Sequence, residues 1–320
     1  MGVISLPANL SGSEDLEHLT DNLQTVGDLV RWGASCLKAA GLHFGHGTDN
    51  AADESRVLVF HALSLDFQVP EYFYDSRVTS QERNAVIKLI ERRIDEGRPA
   101  AYLTGEAWFA GMRFEVTPHV LVPRSPIAEM ILNGFEPWCR TENIKTVLDL
   151  GTGSGCIAIA IAAHMGAEVD AVDISPPAVR AAHRNVKLHG LEDLVHVSES
   201  DLYRSLPDKK YDLIVSNPPY VSATSMQRLP DEYKHEPEIA LAADEDGLSV
   251  IHRILRRAAD YLQPAGVLVV EAGEAAGALV ASYPDVPFDW VEFEHGGDGV
   301  FVLSSVDLAR SRDLIAARCA

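Results

Sequence analysis

The first third of the chain has apolar residues at helical spacing. In VGDLVRWGASCLKAAG and ERNAVIKLIERRI they recur every three or four positions, which places them on one face of an α-helix. Between these segments, FGHGTDN and LDFQVPEYF are rich in turn-forming residues and interrupt the pattern. The pattern over residues 23–94 predicts a small helical domain, with limits at 21–98.

The next segment has the spacing of short strands. Gly and Pro divide GRPAAYLTGEAWFAGMRFEVTPHVLVPRS into short pieces, and apolar and polar residues alternate over 112–116 and 119–122. We therefore predict a β-hairpin linker over residues 99–125. A helix is predicted to follow, from Ser125 to about Trp138.

From residue 146 onward, short apolar runs alternate with helical patterns such as PPAVRAAHRNVKLHG and GLSVIHRILRRAADYLQ. The predicted strands are 146–150, 168–174, 195–200, 211–217, 266–272, 289–294 and 300–305. Buried strands that alternate with helices indicate an α/β fold with a parallel, doubly wound sheet. Only HGGDG joins the last two strands; this is too short for a parallel crossover and predicts a terminal antiparallel hairpin. The sheet domain is predicted to span 126–305, followed by a C-terminal tail at 306–320.

Composition and the chain ends suggest a compartment. Residues 1–20 are polar with Pro and Gly and are predicted to be disordered. No run approaches the ~18 apolar residues of a membrane span, and MGVISLPANLSGSEDLEH lacks the basic and apolar regions of a signal peptide. We expect a cytoplasmic protein without a membrane partner. Cys36, Cys139, Cys156 and Cys319 form no C-x-x-C pair, so reduced thiols and no metal site are expected.

The charge balance bears on the partner. Against 27 Lys and Arg stand 47 Asp and Glu, a net charge of -20. Nucleic-acid affinity comes mainly from cationic side chains that neutralise phosphates, so a basic macromolecule is the expected partner. Seven acids are crowded after residue 230: Asp231, Glu232, Glu236, Glu238, Asp244, Glu245 and Asp246. They form either a surface that attracts this partner or an ordinary solvated loop.

A glycine-rich turn follows the first predicted strand of the sheet. In VLDLGTGSGCIAIAIA, Asp149 precedes Gly151, Gly153 and Gly155, and a helix follows. Glycines here permit a sharp turn and let a ligand approach where a Cβ would clash. The spacing is G-x-G-x-G and differs from the dinucleotide-binding G-x-G-x-x-G. Alone, this pattern fits a cofactor-binding loop and a purely structural turn equally well.

Acids close the next two predicted strands. Asp173 ends the second, where a carboxylate can accept hydrogen bonds from both hydroxyls of a ribose. Asp201, followed by Leu202, ends the third strand and is predicted to lie near an adenine edge. Each acid has a second interpretation as a helix cap. Glu271, at the end of the fifth strand, is likewise either a cap or a supporting acceptor.

An unusual corner follows the apolar run YDLIV. Asn217, Pro218, Pro219 and Tyr220 stand together there. The prolines remove two N–H donors and fix two φ angles, so the Asn side chain and nearby carbonyls form a rigid set of acceptors. This arrangement predicts a ligand that donates hydrogen bonds. Tyr220 can offer a ring face to that ligand or can pack in the core.

With this corner, the chain resembles class I S-adenosylmethionine-dependent methyltransferases that act on planar nitrogen. RPAAYLTGEAWFAG, VLVPRSPIAEMI, VLDLGTGSGCIAIA and NPPYVSATSMQRLPDEYKHEPEIAL narrow the resemblance to the HemK-like N5-glutamine protein methyltransferases, from about Leu23 to Phe301. One branch modifies peptide chain release factors and is expected to read Pro-Arg-Pro-Glu-Thr-Glu at the linker exit. This chain reads Pro-Arg-Ser-Pro-Ile-Ala-Glu over 123–129, as does the branch that modifies the third protein of the large ribosomal subunit.

The resemblance implies an activity and roles for residues. S-adenosyl-L-methionine would donate the methyl group, leaving S-adenosyl-L-homocysteine, and a glutamine amide nitrogen in a basic ribosomal protein, free or in a ribosome assembly intermediate, would receive it. Asn217 and the Pro218 carbonyl would accept the amide hydrogens, Tyr220 would contact the amide, and Arg124 would bind the substrate. Alternatives are methylation of release factors, N6-adenine methylation of nucleic acid, and a cofactor-binding module without catalysis. The acidic charge argues against the nucleic-acid alternative.

Overall fold

The computed structural model describes residues 22–318. The predicted disorder at 1–20, like Cys319, lies outside these residues. Contacts divide the chain into two units, a helical unit that runs to Gly105 and includes Pro230–His235, and a sheet unit that comprises Glu106–Leu229 and the chain from Glu236 onward. Within residues 22–318, no helix has the length and apolar character needed to cross a membrane.

The helical unit has the helices that the apolar spacing predicts. They are α1 (Val26–Ala39), α2 (Ala51–Ala62), α3 (Ser80–Glu96) and α4 (Ala100–Thr104). Capping boxes begin two of them, Thr25 with Asp28 at α1 and Thr79 with Glu82 at α3, which satisfies N–H groups that a helix start leaves unpaired. Fully buried leucine, valine and isoleucine side chains from α1, α2 and α3 form its core.

A buried ion pair lies inside the helical unit. The Arg93 guanidinium donates to Glu54 Oε1 at 2.7 Å, and both side chains are almost fully buried. Glu232, from the segment 230–235, accepts from His43 N at 2.8 Å and lies 3.9 Å from Arg93. Removing one partner of a buried ion pair leaves an uncompensated charge. The contacts of Glu232 with His43 and Arg93 therefore hold the segment 230–235 within the helical unit.

The linker contains a hairpin, but its strands are not both where the sequence predicted them. β1 (Glu106–Phe109) pairs with β2 (Met112–Glu115) across a turn in which Ala110 and Gly111 have positive φ, as in a tight hairpin turn. The predicted strand at 119–122 is wrong. A turn occupies this place, with Val120 N donating to Thr117 O, and prolines on both sides lack the N–H that a strand ladder needs.

The helix after the linker is shorter than predicted. It is α5 (Ile127–Leu132), not a helix from Ser125 to Trp138. Gly134 and Phe135 adopt left-handed φ values of 67° and 61°, which a continuing right-handed helix cannot include.

The sheet has the predicted doubly wound α/β fold. Its strands are β3 (Thr146–Leu150), β4 (Glu168–Asp173), β5 (Val195–Glu199), β6 (Tyr211–Ser216), β7 (Leu262–Glu271), β8 (Asp289–Trp290) and β9 (Val300–Ser304). Its helices are α6 (Cys156–Met165), α7 (Pro176–His189), α8 (Ala223–Met226), α9 (Ser249–Tyr261), α10 (Ala276–Ser282), α11 (Ser305–Arg310) and α12 (Arg312–Arg318). The strand order is β5-β4-β3-β6-β7-β9-β8. The first five strands are parallel, and β9 runs antiparallel to both β7 and β8, which confirms the terminal hairpin.

Two details at the sheet edge differ from expectation. The predicted strand 289–294 retains only two paired residues in β8, because among the described strands it pairs only with β9 and an edge strand gains hydrogen bonds on one side only. The predicted tail at 306–320 is largely helical in α11 and α12, which bury Leu308 and Ile315 in the core.

Apolar cores cover both faces of the sheet. Along β3, Val147 packs on one face with α6, while Leu148 and Leu150 pack on the other with residues of α9. This alternation follows from the pleat of a strand. With both faces covered, an open edge remains where the parallel strands end at their carboxyl termini, which is the usual ligand position in open α/β sheets.

Candidate active site

A cavity of about 270 Å³ lies at the carboxyl ends of β3, β4 and β6. Nine residues that the sequence proposed for the site line this cavity: Arg124, Gly151, Gly153, Asp173, Asp201, Leu202, Asn217, Pro218 and Pro219. Three others, Asp149, Gly155 and Tyr220, are not among its lining residues. The topology thus brings together chain segments that are far apart in sequence.

The glycine-rich turn has two functions. Gly151, Gly153 and Gly155 all have positive φ, at 75°, 58° and 83°, which L side chains rarely adopt. Apart from its chain neighbours, a Cβ on Gly151 or Gly153 would have no atom of residues 22–318 within 4 Å, so the space beside these glycines is open to a ligand. At Gly155 a Cβ would lie 3.2 Å from Ala182 Cβ. Gly155 therefore allows α6 and α7 to pack closely.

Asp149, near the end of β3, supports this turn. Its carboxyl is fully buried and accepts from Thr152 Oγ1 at 2.6 Å through Oδ2, while Oδ1 has no partner within residues 22–318. Burial raises the pKa of Asp149 to about 7, and the nearby Asp173 adds to the rise. The position fits a support of the loop, and the cofactor contact that the sequence proposed for Asp149 stays a prediction.

Because its pKa is raised, Asp149 should lower the free energy of unfolding by an amount that depends on pH. The pKa of this carboxyl is about 7 in the folded state and 3.8 for an ordinary aspartate. Between these values the folded state binds the extra proton, so stability falls as pH rises. We expect Asp149→Asn to remove this penalty. Its free energy of unfolding relative to wild type should increase by about 1.4 kcal/mol per pH unit up to about pH 7 and level off above.

Urea unfolding of both proteins across this pH range measures the difference. Asp285→Asn, at an exposed position, is the control for loss of one negative charge. If the stability difference between Asp149→Asn and wild type is the same at every pH, the pKa of Asp149 is not raised in the folded state.

Asp173 combines a turn contact with a place on the cavity wall. Oδ2 accepts from Gly153 N at 2.9 Å and Oδ1 accepts from Ser175 N at 2.8 Å. Burial raises the pKa of Asp173, and the two backbone hydrogen bonds oppose this rise. Each carboxylate oxygen has a further lone pair. Both interpretations of Asp173 are therefore compatible with the geometry, since it closes a turn and can still accept from a ligand.

The chain adopts an unusual backbone conformation just after β5. Leu202 has a φ of 51°, a costly value for a non-glycine residue, and Ser200 Oγ stabilises it by donating to Leu202 O at 2.8 Å. Asp201 accepts from Arg253 Nη2 at 2.6 Å. Arg253 also lines the cavity. Arg253 was not among the residues predicted from the sequence, because nothing in its local pattern distinguishes it from other surface arginines of a helix.

Asn217 directly follows β6 and lines the cavity. Ser216, the last residue of β6, donates to Leu150 O at 2.7 Å, which ties the end of this strand to the end of β3. The Asn217 side chain is half-buried, and among the described residues it has no hydrogen-bond partner. Its amide is therefore available to a ligand, next to the rigid proline pair.

Tyr220 and Arg124 have protein partners. The Tyr220 hydroxyl donates to Glu271 Oε1 at 2.9 Å, which makes Glu271 the supporting acceptor rather than a helix cap. The Arg124 guanidinium forms a two-point ion pair with Glu236, at 2.5 and 2.7 Å. Val122 N also donates to Glu236. Substrate binding by Arg124 stays a prediction, and its visible function is to join the linker to the segment after the proline corner.

The acidic cluster after residue 230 is mostly structural. Glu232 and Glu236 are buried in the ion pairs described above, and Asp231 pairs with Lys234. Asp244 and Asp246 accept from the amides that begin α9. Burial alone would raise the pKa of Asp244, but these hydrogen bonds hold it below its usual value. Glu238 and Glu245 are exposed and remain as candidates for long-range attraction.

Known proteins share both parts of this architecture. Residues 131–230 match the family described as methyltransferase small domain, and residues 28–105 match the PrmC N-terminal domain. The ribosomal protein uL3 glutamine methyltransferase of Xanthomonas campestris is 46% identical over 304 residues, covering 93% of this chain and 98% of that protein. The protein of the same name from Bordetella pertussis is 46% identical over 288 residues, covering 89% and 97%.

Among solved structures, similarity is more distant. The 16S rRNA N2 G1207 methyltransferase of Thermus thermophilus has a TM-score of 0.45 at 21% identity, over 62% of this chain and 49% of that chain. A methyltransferase from Pyrococcus furiosus has a TM-score of 0.45 at 18% identity, over 61% and 89%.

Proposed function

The chain belongs to the ribosomal protein uL3 glutamine methyltransferase family, and we propose that it methylates the side-chain amide nitrogen (N5) of one glutamine in uL3, using S-adenosylmethionine. One observation carries the proposal for the site. The Asn217–Pro218 acceptors line the same cavity as the glycine-rich turn and Asp173, so a methyl donor and an amide can meet there.

The residues of the cavity fit S-adenosylmethionine, which supplies an electrophilic methyl group on a sulfonium. Open space beside Gly151 and Gly153 would admit the cofactor close to the backbone. Asp173 would accept hydrogen bonds from its ribose hydroxyls, and Asp201 with Leu202 would contact the adenine. The Asp201–Arg253 ion pair leaves the second oxygen of Asp201 for this contact.

Asn217 and Pro218 would activate the glutamine by orientation. An amide nitrogen is a weak nucleophile because its lone pair is delocalised into the carbonyl, yet it carries two N–H donors. If Asn217 Oδ1 and the Pro218 carbonyl accept these hydrogens, the nitrogen is held in line with the methyl group and can become pyramidal. Methyl transfer would break the methyl–sulfur bond as the N–CH₃ bond forms. The nitrogen would then carry a positive charge and lose one of its protons to water, so a strong base is not required.

Tyr220 and Arg124 complete the proposed assignment. Tyr220 supports the end of the proline corner and would place its ring beside the amide and the cationic methyl, a contact of about 0.5 to 2 kcal/mol. Arg124, fixed by Glu236 at the cavity wall, would bind the substrate.

Charge supports a basic protein as the partner. A ribosomal protein must be basic to bind ribosomal RNA, and this chain has a net charge of -20. Opposite charges increase association rates at low salt. We infer that the reaction takes place in the cytoplasm, where uL3 is made, on the free protein or on a ribosome assembly intermediate. The relatives favour neither release-factor nor nucleic-acid methylation.

Neutralising Glu238 and Glu245, the two exposed acids of the cluster to which no structural contact was assigned above, should weaken substrate capture. We expect the double variant Glu238→Gln, Glu245→Gln to raise KM for uL3 about threefold at low salt, with kcat unchanged and a flatter salt dependence. Initial rates at several salt concentrations measure this. Asp244 and Asp246 are left intact because they cap α9.

The matched control is Glu192→Gln, Asp193→Asn. These exposed acids precede the start of β5, at the edge of the parallel sheet opposite to the cavity, and their neutralisation changes the net charge by the same amount. Equal KM values for the two double variants would show that only total charge attracts the substrate.

Transfer of a tritiated methyl group from S-adenosylmethionine tests the proposed function. Purified ribosomal proteins, release factors and ribosomal RNA are offered separately, and the labelled peptide is mapped by mass spectrometry. We expect label in uL3, with the mass of one methyl group added at a single glutamine. Label in a release factor or in RNA, with none in uL3, would overturn the proposal.

A further inference from the structure

Glu271 is a buried carboxylate beside the proposed catalytic corner. It is the last residue of β7 and is 5% exposed. The residue before it, Val270, pairs with Ser216 at the end of β6, and the corner begins at the next residue, Asn217. The topology therefore places this carboxylate at the end of the strand adjacent to the corner.

Two hydroxyl groups share this carboxylate. Ser125 Oγ donates to Glu271 Oε2 at 2.6 Å, and Tyr220 donates to Oε1 at 2.9 Å. Ile127 N donates to Ser125 Oγ at 3.2 Å, so the serine oxygen acts as acceptor there and its hydrogen is directed to Glu271. Only an ionised carboxylate can accept from both hydroxyls without turning one oxygen into a donor.

The charge of Glu271 depends on these donors. Burial raises the pKa of Glu271, and the hydrogen bonds from Ser125 and Tyr220 oppose this rise. Among the described residues, the positive charge of Arg124 also lowers the pKa of Glu271. Each hydroxyl thus helps to keep the carboxylate ionised, and in return the carboxylate fixes each hydroxyl.

The ring and the carbonyl of Tyr220 pack closely against glycine backbone. A Cβ on Gly273 would lie 2.4 Å from Tyr220 Cε2, and a Cβ on Gly247 would lie 2.4 Å from Tyr220 O. Gly299 in turn lies so close to Gly273 that its own Cβ would be 2.5 Å from Gly273 O. The ring and the backbone carbonyl of Tyr220 therefore rest directly on neighbouring backbone, and the hydroxyl is held by Glu271.

We propose that Ser125 and Glu271 are positioning residues that fix Tyr220 and, through it, the orientation of the Pro218 carbonyl. Only Pro219 separates this carbonyl from the Tyr220 backbone, and its ring restricts the φ angle between them. A rotation at Tyr220 is therefore transmitted to the acceptor rather than absorbed between them. The inference rests on the proposed function, since Pro218 matters only if its carbonyl accepts from the substrate amide.

Three variants and one double variant test this arrangement. We expect Ser125→Ala and Tyr220→Phe each to lower kcat for uL3 methylation about tenfold, the effect of losing one hydrogen bond to a charged group. KM and the Kd for S-adenosylhomocysteine should change little. Because both act through Glu271, the double variant should lose less than the product of the two single losses. Ser125→Thr retains the donor and should keep most of the activity.

The pH profile separates positioning from simple destabilisation. When Ser125→Ala removes one donor, Glu271 should protonate at higher pH, so the acidic limb of kcat shifts toward neutral pH, and Ser125→Thr should restore it. If wild type methylates uL3 while Ser125→Ala matches it in kcat and in the acidic limb, the positioning role is overturned. Multiplicative losses in the double variant would also overturn it. If wild type does not methylate uL3, the proposed function itself fails.

Discussion

Replacing Asn217 by alanine is expected to lower kcat by about 10² or more, the effect of losing one preorganised polar group at the reacting atom. The side chain lines the cavity and, within the described residues, has no protein partner, so its removal should leave the surrounding structure intact. The Kd for S-adenosylmethionine should change little. Single-turnover rates at saturating cofactor, with calorimetry for the Kd, measure both quantities.

Asn217→Asp is the matched control for this result. Aspartate keeps an oxygen acceptor at the same distance from the backbone, so its loss in kcat should be smaller than that of alanine. An alanine variant that retains more than half of the wild-type kcat would show that Asn217 does not accept a hydrogen bond from the substrate amide.

The second large effect concerns cofactor affinity. Asp173→Ala is expected to weaken S-adenosylmethionine binding by about 1.5 to 3 kcal/mol, because charge-assisted hydrogen bonds to the ribose are lost. The variant also removes the acceptor that holds Gly153 N, which adds to the effect by loosening the glycine-rich turn. Isothermal titration calorimetry measures the Kd, and kcat at saturating cofactor should be largely retained.

Asp173→Asn separates the two contributions. Asparagine can still accept from one backbone amide but carries no charge, so its loss should lie between those of wild type and alanine. If Asp173→Ala binds the cofactor with unchanged Kd, Asp173 only closes the turn that contains Ser175.

Elements whose cause is local could be predicted from the sequence. Buried strands such as 146–150 appear as apolar runs, and the turn after them is marked by Gly151, Gly153 and Gly155. Their meeting at one cavity follows from a general rule for parallel sheets. For the same reason Asp173 and Asn217 were found, since both lie at the carboxyl ends of predicted strands.

Contacts between distant segments could not be predicted in this way. Glu236 and Arg124 are 112 positions apart, and Asp201 and Arg253 are 52 apart. Each residue has an ordinary local pattern, so only the folded chain shows that it is paired. The early end of α5 has a similar cause, since the left-handed backbone at Phe135 depends on tertiary packing rather than on a propensity of phenylalanine.

The segment 230–235 has a consequence for exchanging parts between related enzymes. It belongs to the helical unit although it follows the proline corner in the chain, and its Glu232 accepts from His43 and lies beside Arg93. The helical unit is therefore not a contiguous cassette. A chimera that takes residues up to 105 from another member of the family should take residues 230–235 from the same protein. Otherwise the imported counterparts of His43 and Arg93 must still fit the native Glu232. Recombination within this family should accordingly be tolerated only where the chain up to residue 105 and the segment 230–235 come from the same parent.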